Sequence, residues 1–355
     1  MHGAMEERIA LLALSRVKGV DNLRRKQIVE SCPSVAALFE GKAKGGERIP
    51  RELAGAVRSI KDLEKEIARL SAMEVDVVTI KDDEYPPLLR EIPDPPMVLY
   101  KKGPLPLSGR TLAIVGARKA TFEAMLLAEQ IAETLSAGGI TVVSGLARGV
   151  DGSAHKGALR EKGRTIGVLG CGIDTCYPVE NLSLFQAMAK EAAIVTEYTP
   201  GERPLKHHFP ERNRIIAGLS RGVLVVEASA KSGSLITARF ALDYGREVMA
   251  VPGRILDEAY RGANCLIKQG ARLIEDIGDI VNCCFPDVEF SRKPSIDINE
   301  DEDYIYRLMG IDRVHVDELI EKSRFETRKV MAILTRLEIK EMIKPIPGGF
   351  YVRKV

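Results

Sequence analysis

Short apolar runs alternate with longer helical patterns through the middle of the chain. The runs are rich in β-branched residues, as buried parallel strands are, and they occupy 112–115, 140–143, 165–169, 193–195, 223–226 and 247–251. Helical patterns separate them at 122–137, 152–162, 181–190, 212–219 and 234–244. This alternation predicts an α/β fold in which helices cover both faces of a mostly parallel sheet.

The N-terminal part has a different pattern. Helical patterns at 6–14, 23–30 and 51–73 predict a small helical domain similar to SAM or helix-hairpin-helix modules, which can hold a DNA phosphate. Asp21 stands where such a hairpin usually has a second glycine, so packing or dimerisation is favoured over DNA contact for this domain. A strand at 75–80 and a Pro-rich stretch at 85–100 follow, and we expect the latter to wrap the edge of the next domain.

The order of helical and hairpin patterns in the C-terminal part of the chain predicts a winged-helix domain. Between 287 and 303 seven acids face two bases, which is typical of a solvated linker. Three helical patterns at 304–309, 316–321 and 327–337 precede a hairpin pattern at 342–346 and 350–352. Nine Lys or Arg against three Glu from residue 322 onward are compatible with nucleic acid, but winged helices also bind proteins.

Together these patterns divide the chain into four parts. We predict a helical domain at 1–74, a Rossmann-like doubly wound domain at 75–285, an acidic linker at 286–300 and a winged-helix domain at 301–355. This arrangement suits a chain of 355 residues, which exceeds the usual size of one hydrophobic core.

Composition limits the setting in which the protein works. The formal net charge is only +2, so any nucleic-acid binding must come from local clusters of cations. Six scattered cysteines without a CxxC pair favour a reduced cytoplasmic location. We find no apolar run long enough to span a membrane and no signal peptide, so we expect a cytoplasmic protein without membrane contact.

The loops that follow the predicted strands carry the candidate chemistry. Nearly every one of them contains glycine, which lets the backbone approach a ligand, and Arg118, Arg148 and Lys231 add positive charge. The stretch from 207 to 240 adds Arg212 and Arg214 before a buried strand, and a Lys-Ser-Gly-Ser loop after it. Ligands of doubly wound sheets lie beyond the carboxyl ends of the strands, so a phosphate-binding site is predicted there.

Read in order, these motifs resemble the bacterial DNA-processing protein A family (DprA, also called Smf). The resemblance covers 85–271 and rests on a Pro-rich lead-in followed by Ile114-Val-Gly-Ala-Arg, Ser144-Gly-Leu-Ala-Arg-Gly-Val-Asp, Gly170-Cys-Gly-Ile-Asp, Phe209-Pro-Glu-Arg-Asn-Arg, Ser232-Gly-Ser-Leu-Ile-Thr-Ala, Val251-Pro-Gly and Gly262-Ala-Asn-Cys-Leu-Ile. The resemblance implies a non-catalytic homodimer that binds and protects single-stranded DNA and loads the RecA recombinase during natural transformation. It implies neither a cofactor nor a metal.

The same resemblance, carried over by motif position, implies the DNA-binding residues. The expected contacts are Arg118, Lys206, Phe209, Arg212 and Arg214. Backbone or hydroxyl contributions are expected from Gly116, Ser144, Gly145, Ser232 and Gly233, with Arg148 and Lys231 as further cations. Cations that meet phosphates beside a ring that stacks on bases are what single-strand binding requires.

Each assignment has a structural alternative. Arg212 is expected to be the phosphate contact, whereas Arg214 could instead pair with Glu227 or Glu197 inside the protein. Phe209 could be a core residue, and His155 is expected to be a hydrogen-bonded structural histidine.

Two other classes of function also remain open. The first is a nucleotide-binding or nucleotide-hydrolysing enzyme that would use Glu197, Glu227 and Asp174 as its acids. The second is a transcription regulator that reads duplex DNA through the winged tail.

Overall fold

The structure is a computed structural model that describes residues 2–17, 19–39, 60–106, 109–160, 164–288, 298–309 and 313–353. Its helices are α1 His2–Ser15, α2 Asn22–Ser31, α3 Val35–Phe39, α4 Ile60–Ala72, α5 Pro87–Glu91, α6 Phe122–Ala137, α7 Val150–Arg160, α8 Leu182–Glu191, α9 His208–Gly218, α10 Ser234–Asp243, α11 Arg261–Lys268, α12 Ile277–Cys284, α13 Glu300–Leu308, α14 Val316–Ser323 and α15 Thr327–Ile339. Its strands are β1 Asp76–Thr79, β2 Val98–Lys102, β3 Thr111–Val115, β4 Thr141–Ser144, β5 Thr165–Val168, β6 Ala193–Thr196, β7 Gly222–Val225, β8 Glu247–Ala250, β9 Arg272–Leu273, β10 Val314–His315, β11 Ile343–Ile346 and β12 Phe350–Arg353.

Nine of the described strands form one sheet in the order β1-β2-β6-β5-β4-β3-β7-β8-β9. From β6 to β9 neighbouring strands are parallel, whereas β1 and β2 add to the β6 edge in antiparallel directions. The chain winds outward from β3 through β4 to β6 and then returns to place β7 on the other side of β3. The predicted doubly wound sheet is therefore confirmed, and its order reverses between β3 and β7.

Both faces of this sheet are covered. All five residues of β3 are buried, with Leu112 and Ile114 in one apolar cluster and Ala113 and Val115 in another. Alternate residues of a strand point to opposite faces, so β3 contributes to two separate cores. Residues of α6 and α12 form the first core, and residues of α9 and α10 join the second.

The Pro-rich stretch does more than wrap the edge of the sheet. It forms α5 and then β2, which pairs with both β1 and β6. The Tyr85 hydroxyl donates to the Pro96 carbonyl oxygen at 2.7 Å, and this buried contact holds the turn before β2. The prolines of this stretch all precede β2. They led us to treat 85–100 as one irregular stretch, so the strand was not predicted.

Helices α1 to α4 form the expected helical unit before the sheet. Asp21 is the N-cap of α2, because its carboxylate accepts the Arg24 N–H at 2.8 Å. That capping role explains an acid where a hairpin module would carry glycine. The part of the predicted 51–73 helix before residue 60 lies outside the described residues.

The C-terminal unit is a winged helix, as expected. Helices α13, α14 and α15 enclose an apolar core, and β10-β12-β11 form its small antiparallel sheet. Its hairpin lies against α6, where Gln130 donates to the Arg353 carbonyl oxygen at 3.3 Å and Lys344 pairs with Glu129 at 3.6 Å. The predicted acidic linker falls largely on 289–297, outside the described residues, and the four domain boundaries stay predictions.

Candidate functional site

A cavity of about 680 Å³ opens at the carboxyl edge of the sheet, where the strand order reverses. Its walls come from the loop after β3, the loop after β7, the first turns of α9 and the start of α10. The predicted residues that line it are Gly116, Arg118, Lys206, Phe209, Arg212, Ser232 and Gly233. Seven of the twelve expected residues, from three separated segments of the chain, thus meet at the position that the topology predicts.

Phe209 is the centre of the site. Its ring is partly exposed and lies 5.3 Å from the ring of Tyr177, measured between centroids. The Arg118 guanidinium stands 5.1 Å from the Phe209 centroid, within the range of a cation–π contact. The alternative of a core phenylalanine does not describe this ring, which faces a cavity with an exposed cation beside it.

Tyr177 was not among the expected residues, although it lines the same cavity. It is 43% exposed and follows one of the Gly-rich loops at the carboxyl edge. The sequence signal was therefore present: an aromatic residue in a loop of the kind that supplied the other candidates. Tyr177 and Phe209 are 32 positions apart along the chain. No local sequence pattern indicates that their rings are in contact.

The Arg-rich segment before β7 is helical, as predicted for 212–219, but the helix begins four residues earlier than predicted. Helix α9 begins at His208, so Phe209 lies in its first turn and the two arginines lie further along it. Lys206 precedes the helix and is exposed, as a phosphate contact requires.

Arg212 is only 3% exposed and forms part of the cavity floor. Its guanidinium donates to the carbonyl oxygens of Gly145, at 2.7 Å, and Val168. Burial lowers the pKa of Arg212 to about 10, against the opposing effect of Asp151, so the side chain stays positive at neutral pH. Burial raises the pKa of Asp151, while Arg212 lowers it. Arg212 thus connects the ends of β4 and β5 through hydrogen bonds. It also places a positive charge at the floor of the cavity.

Arg214 is also buried, at 5% exposure, and faces away from the cavity. It pairs with Glu197 and donates to the Asp94 carbonyl oxygen at 2.7 Å. The structural alternative with Glu197 is therefore the contact that the structure shows. Asn22 of α2 donates to the same Glu197 at 3.3 Å, so the helical unit reaches α9 through this carboxylate.

The expected glycines hold the loops close together. A Cβ on Gly116 would lie 2.5 Å from Val150, and one on Gly145 would lie 2.4 Å from the Arg212 guanidinium. Ser144 is not brought to the surface: it is fully buried, and its hydroxyl donates to the Ile114 carbonyl oxygen at 2.6 Å. Asn213 donates to the Gly233 carbonyl oxygen at 3.3 Å and so joins α9 to the loop after β7.

The two further cations occupy different places. Arg148 lines a smaller cavity of about 150 Å³ beside the first, together with Arg118, Lys119 and Tyr177, and it is paired with Glu180. Lys231 is exposed in the loop after β7 but is not one of the residues lining either cavity.

The acids of the hydrolytic alternative are each held by other groups. Glu227 accepts from the Thr121 hydroxyl at 2.6 Å, and Asp174 accepts from the Gly201 N–H at 2.8 Å, while Glu197 pairs with Arg214. His155 is fully buried between the Leu146 N–H and the Thr165 hydroxyl, and burial lowers its pKa to about 3. It is therefore the neutral structural histidine that we expected. Within the described ranges no helix is both long and apolar enough to cross a bilayer.

The fold and the site define a Rossmann-like protein with a cationic, aromatic-bearing cleft at the topological switch point and a C-terminal winged helix. Residues 76–285 match the family model of DNA recombination-mediator protein A, and residues 291–349 match that of the DprA winged helix domain. The chain belongs to the DNA recombination-mediator protein A family.

Individual relatives agree with this assignment. DNA processing protein DprA of Bacillus subtilis is 45% identical over 208 residues, which are 58% of this chain and 70% of the relative. Protein Smf of Escherichia coli is 37% identical over 304 residues, covering 82% of this chain and 81% of the relative. The crystal structure of DprA from Streptococcus pneumoniae is 35% identical, with a TM-score of 0.66 over 77% of this chain and 97% of that one. DprA from Helicobacter pylori, whose structure is described for its single-stranded DNA binding mode, is 31% identical, with a TM-score of 0.55 over 60% of this chain and 97% of that one.

Proposed function

We propose that this chain binds and protects single-stranded DNA in the cleft between β3 and β7, without catalysing a reaction on it. The observation that carries this proposal is the arrangement of Arg118 beside the exposed face of Phe209, with Tyr177 adjoining. The likeness to a relative described for single-stranded DNA binding supports it.

The site suits a strand with unpaired bases better than a duplex. A ring that faces a cleft can stack on a base only if the base is free, and such stacking contributes about 1 to 3 kcal/mol per base. Arg118 and Lys206 are exposed at the cleft and can meet the phosphates on either side of that base. Arg212 contributes a permanent positive charge from the floor, and Gly116, Ser232 and Gly233 offer backbone or hydroxyl groups along the walls.

Arg118→Ala and Phe209→Ala separate the two parts of this interaction. Both variants should weaken binding to oligo(dT), measured by fluorescence anisotropy across a range of salt concentrations. Arg118→Ala should also make the dependence on salt shallower by about 0.7 in the log–log slope, because one phosphate contact is lost. Phe209→Ala should leave that slope unchanged, since stacking releases few counterions.

Lys268→Ala is the matched control, since it removes an exposed cation from the far end of α11. Duplex DNA of equal length should compete poorly. Unchanged affinity and slope in both test variants would place the binding site elsewhere. Equal affinity for duplex and single strand, lost on charge reversal in α15, would instead support the regulator with a DNA-reading winged tail.

We further propose that the protein acts as a homodimer in the cytoplasm and loads the RecA recombinase onto the bound strand during natural transformation. Membership of a recombination-mediator family supports this role. It is tested by the rate at which RecA begins DNA-dependent ATP hydrolysis on a strand already coated with single-strand-binding protein. The Arg118→Ala variant should lose any acceleration, because it no longer holds the strand.

A further inference from the structure

The segment from Tyr177 to Leu182 exposes three large apolar side chains next to the cleft. Tyr177 is 43% exposed, Val179 70% and Leu182 44%. Single exposed apolar residues are ordinary, but three within six positions at the edge of a binding cleft indicate a contact surface.

This segment is held in place by its polar residues. The Asn181 side-chain amide donates to the carbonyl oxygens of Leu146 and Ala147, at 2.9 and 3.1 Å. Residues Val179–Asn181 form a 3₁₀ turn that leads directly into α8. The apolar side chains therefore stay outward on a turn fixed to the loop after β4, and neighbouring core residues do not cover them.

The segment continues the aromatic surface of the cleft. Tyr177 contacts Phe209, and Tyr177 and Pro178 line the smaller cavity together with Arg118, Lys119 and Arg148. Glu180 lies in the middle of the apolar segment and is paired with Arg148. Three exposed cations thus lie beside the segment, whereas the segment itself contributes the single carboxylate of Glu180.

This charge decides between the possible occupants. Two copies of the chain that met through this segment would bring the cations of both together, and like charges disfavour such an interface. A single strand instead places its phosphates beside the cations and its bases on the apolar side chains.

We infer that Tyr177, Val179 and Leu182 extend the base-binding surface beyond Phe209, so that nucleotides following the one in the cleft rest on this segment. Arg148 then exchanges Glu180 for a DNA phosphate. The inference deepens the proposed function and depends on it.

The test uses the full chain with Val179 and Leu182 both changed to Ser. Binding is measured with a short oligo(dT) of about five nucleotides, which fills the cleft, and with one of about twenty, which also reaches the segment. We expect the double variant to bind the longer strand about fivefold or more weakly, with an unchanged salt slope, and to bind the short strand normally. Ile339→Ser, which removes a 76% exposed apolar side chain from α15, is the matched control.

The outcomes distinguish this inference from the proposed function. If the unsubstituted chain binds neither strand, the proposed function fails, and the extension fails with it. If it binds both and the double variant weakens neither, only the extension is overturned. Equal weakening of both strands would also overturn it, because the two residues would then belong to the cleft itself. Circular dichroism of the double variant is the check that it is folded, so that a loss of binding can be told apart from a loss of structure.

Discussion

At the scale of single residues, α9 shows that two buried arginines have different roles because they face different sides of the helix. Arg212 and Arg214 are two positions apart, and neither is exposed by more than 5%. Arg212 forms part of the cleft floor. Arg214 points to the opposite side of α9, where it pairs with Glu197. The sequence identified both as candidate cations but could not show their depth, because depth is set by β4, β5 and β6, far away along the chain.

Replacing Arg212 should destabilise the fold as well as weaken DNA binding. Arg212→Ala leaves two buried carbonyl groups and the buried Asp151 without their positive partner, which costs about 3 kcal/mol or more. We expect the urea midpoint to fall without a change in the slope of the transition, as measured by circular dichroism.

The exposed Arg118 provides the control for this expectation. Arg118→Ala should bind DNA weakly yet unfold at the same urea concentration as the unsubstituted chain, because its guanidinium faces the cleft and not the core. An Arg212→Ala variant as stable as Arg118→Ala would show that the floor of the cleft does not depend on this side chain.

At the scale of elements, strands buried on both faces were the easiest to predict. Continuous apolar runs such as those of β3 and β7 have no solvent face to interrupt them, and the loops predicted at their ends line the cavity. Helix α9 was placed four residues too late. His207, its N-cap, makes no side-chain capping bond, and Pro210 reads as a break although it is tolerated in a first turn.

Another element-level feature is visible only in three dimensions, namely the cap of α3. Glu7 of α1 accepts hydrogen bonds from the Val35 and Ala36 N–H groups at 2.9 and 3.0 Å. It also accepts from the Ser34 hydroxyl and from Lys81 at 2.8 and 2.6 Å. Burial alone would raise the pKa of Glu7, but these hydrogen bonds, that from Lys81 first, lower it from 4.5 to about 2.

This carboxylate should stabilise the helical unit in a pH-dependent way. Because the folded pKa lies below the unfolded one, the stabilisation is complete above pH 4.5 and is lost as the pH falls toward 2. Glu7→Gln should therefore lower stability near neutral pH by about 1 kcal/mol, allowing for solvent screening. The difference from the unsubstituted chain should shrink through that window in urea titrations at stepped pH.

Glu64→Gln on the exposed face of α4 is the matched control for the charge change. Its stability should track that of the unsubstituted chain at every pH. A Glu7→Gln difference that is constant from pH 7 to pH 2 would mean that the lost contact is steric and does not depend on the charge.

At the scale of the whole molecule, the charge is concentrated locally while the total stays near neutral. The net charge is +2, yet four cations line one cavity against the two carboxylates of Asp151 and Glu227. These cations are Arg118, Lys119, Lys206 and Arg212. Such local concentration of positive charge attracts a polyanion to one edge of the sheet without making the entire surface bind polyanions non-specifically. Composition could exclude a uniformly basic protein, but only the sheet order brings these cations together.

The proposed homodimer needs an apolar surface outside the cleft, and the C-terminal end of α10 provides one. Helix α10 carries the apolar residues Leu235, Ile236, Phe240 and Ala241; Ala241 is buried, and the 37% exposed Ile236 lines the cleft. Leu242, on the same helix, is 61% exposed and is not among the residues that line the DNA cleft.

Leu242→Asp should therefore separate the copies while leaving the strand-binding cleft intact. A C2 interface repeats each residue, so the substitution places two carboxylates in one apolar contact, and like charges there are strongly unfavourable. Light scattering coupled to gel filtration should show the mass of one chain for Leu242→Asp, and of two for Ile339→Asp, which alters an even more exposed apolar position of α15. A short oligo(dT) should bind both variants alike. A Leu242→Asp protein that keeps the mass of two chains would place the interface on another surface.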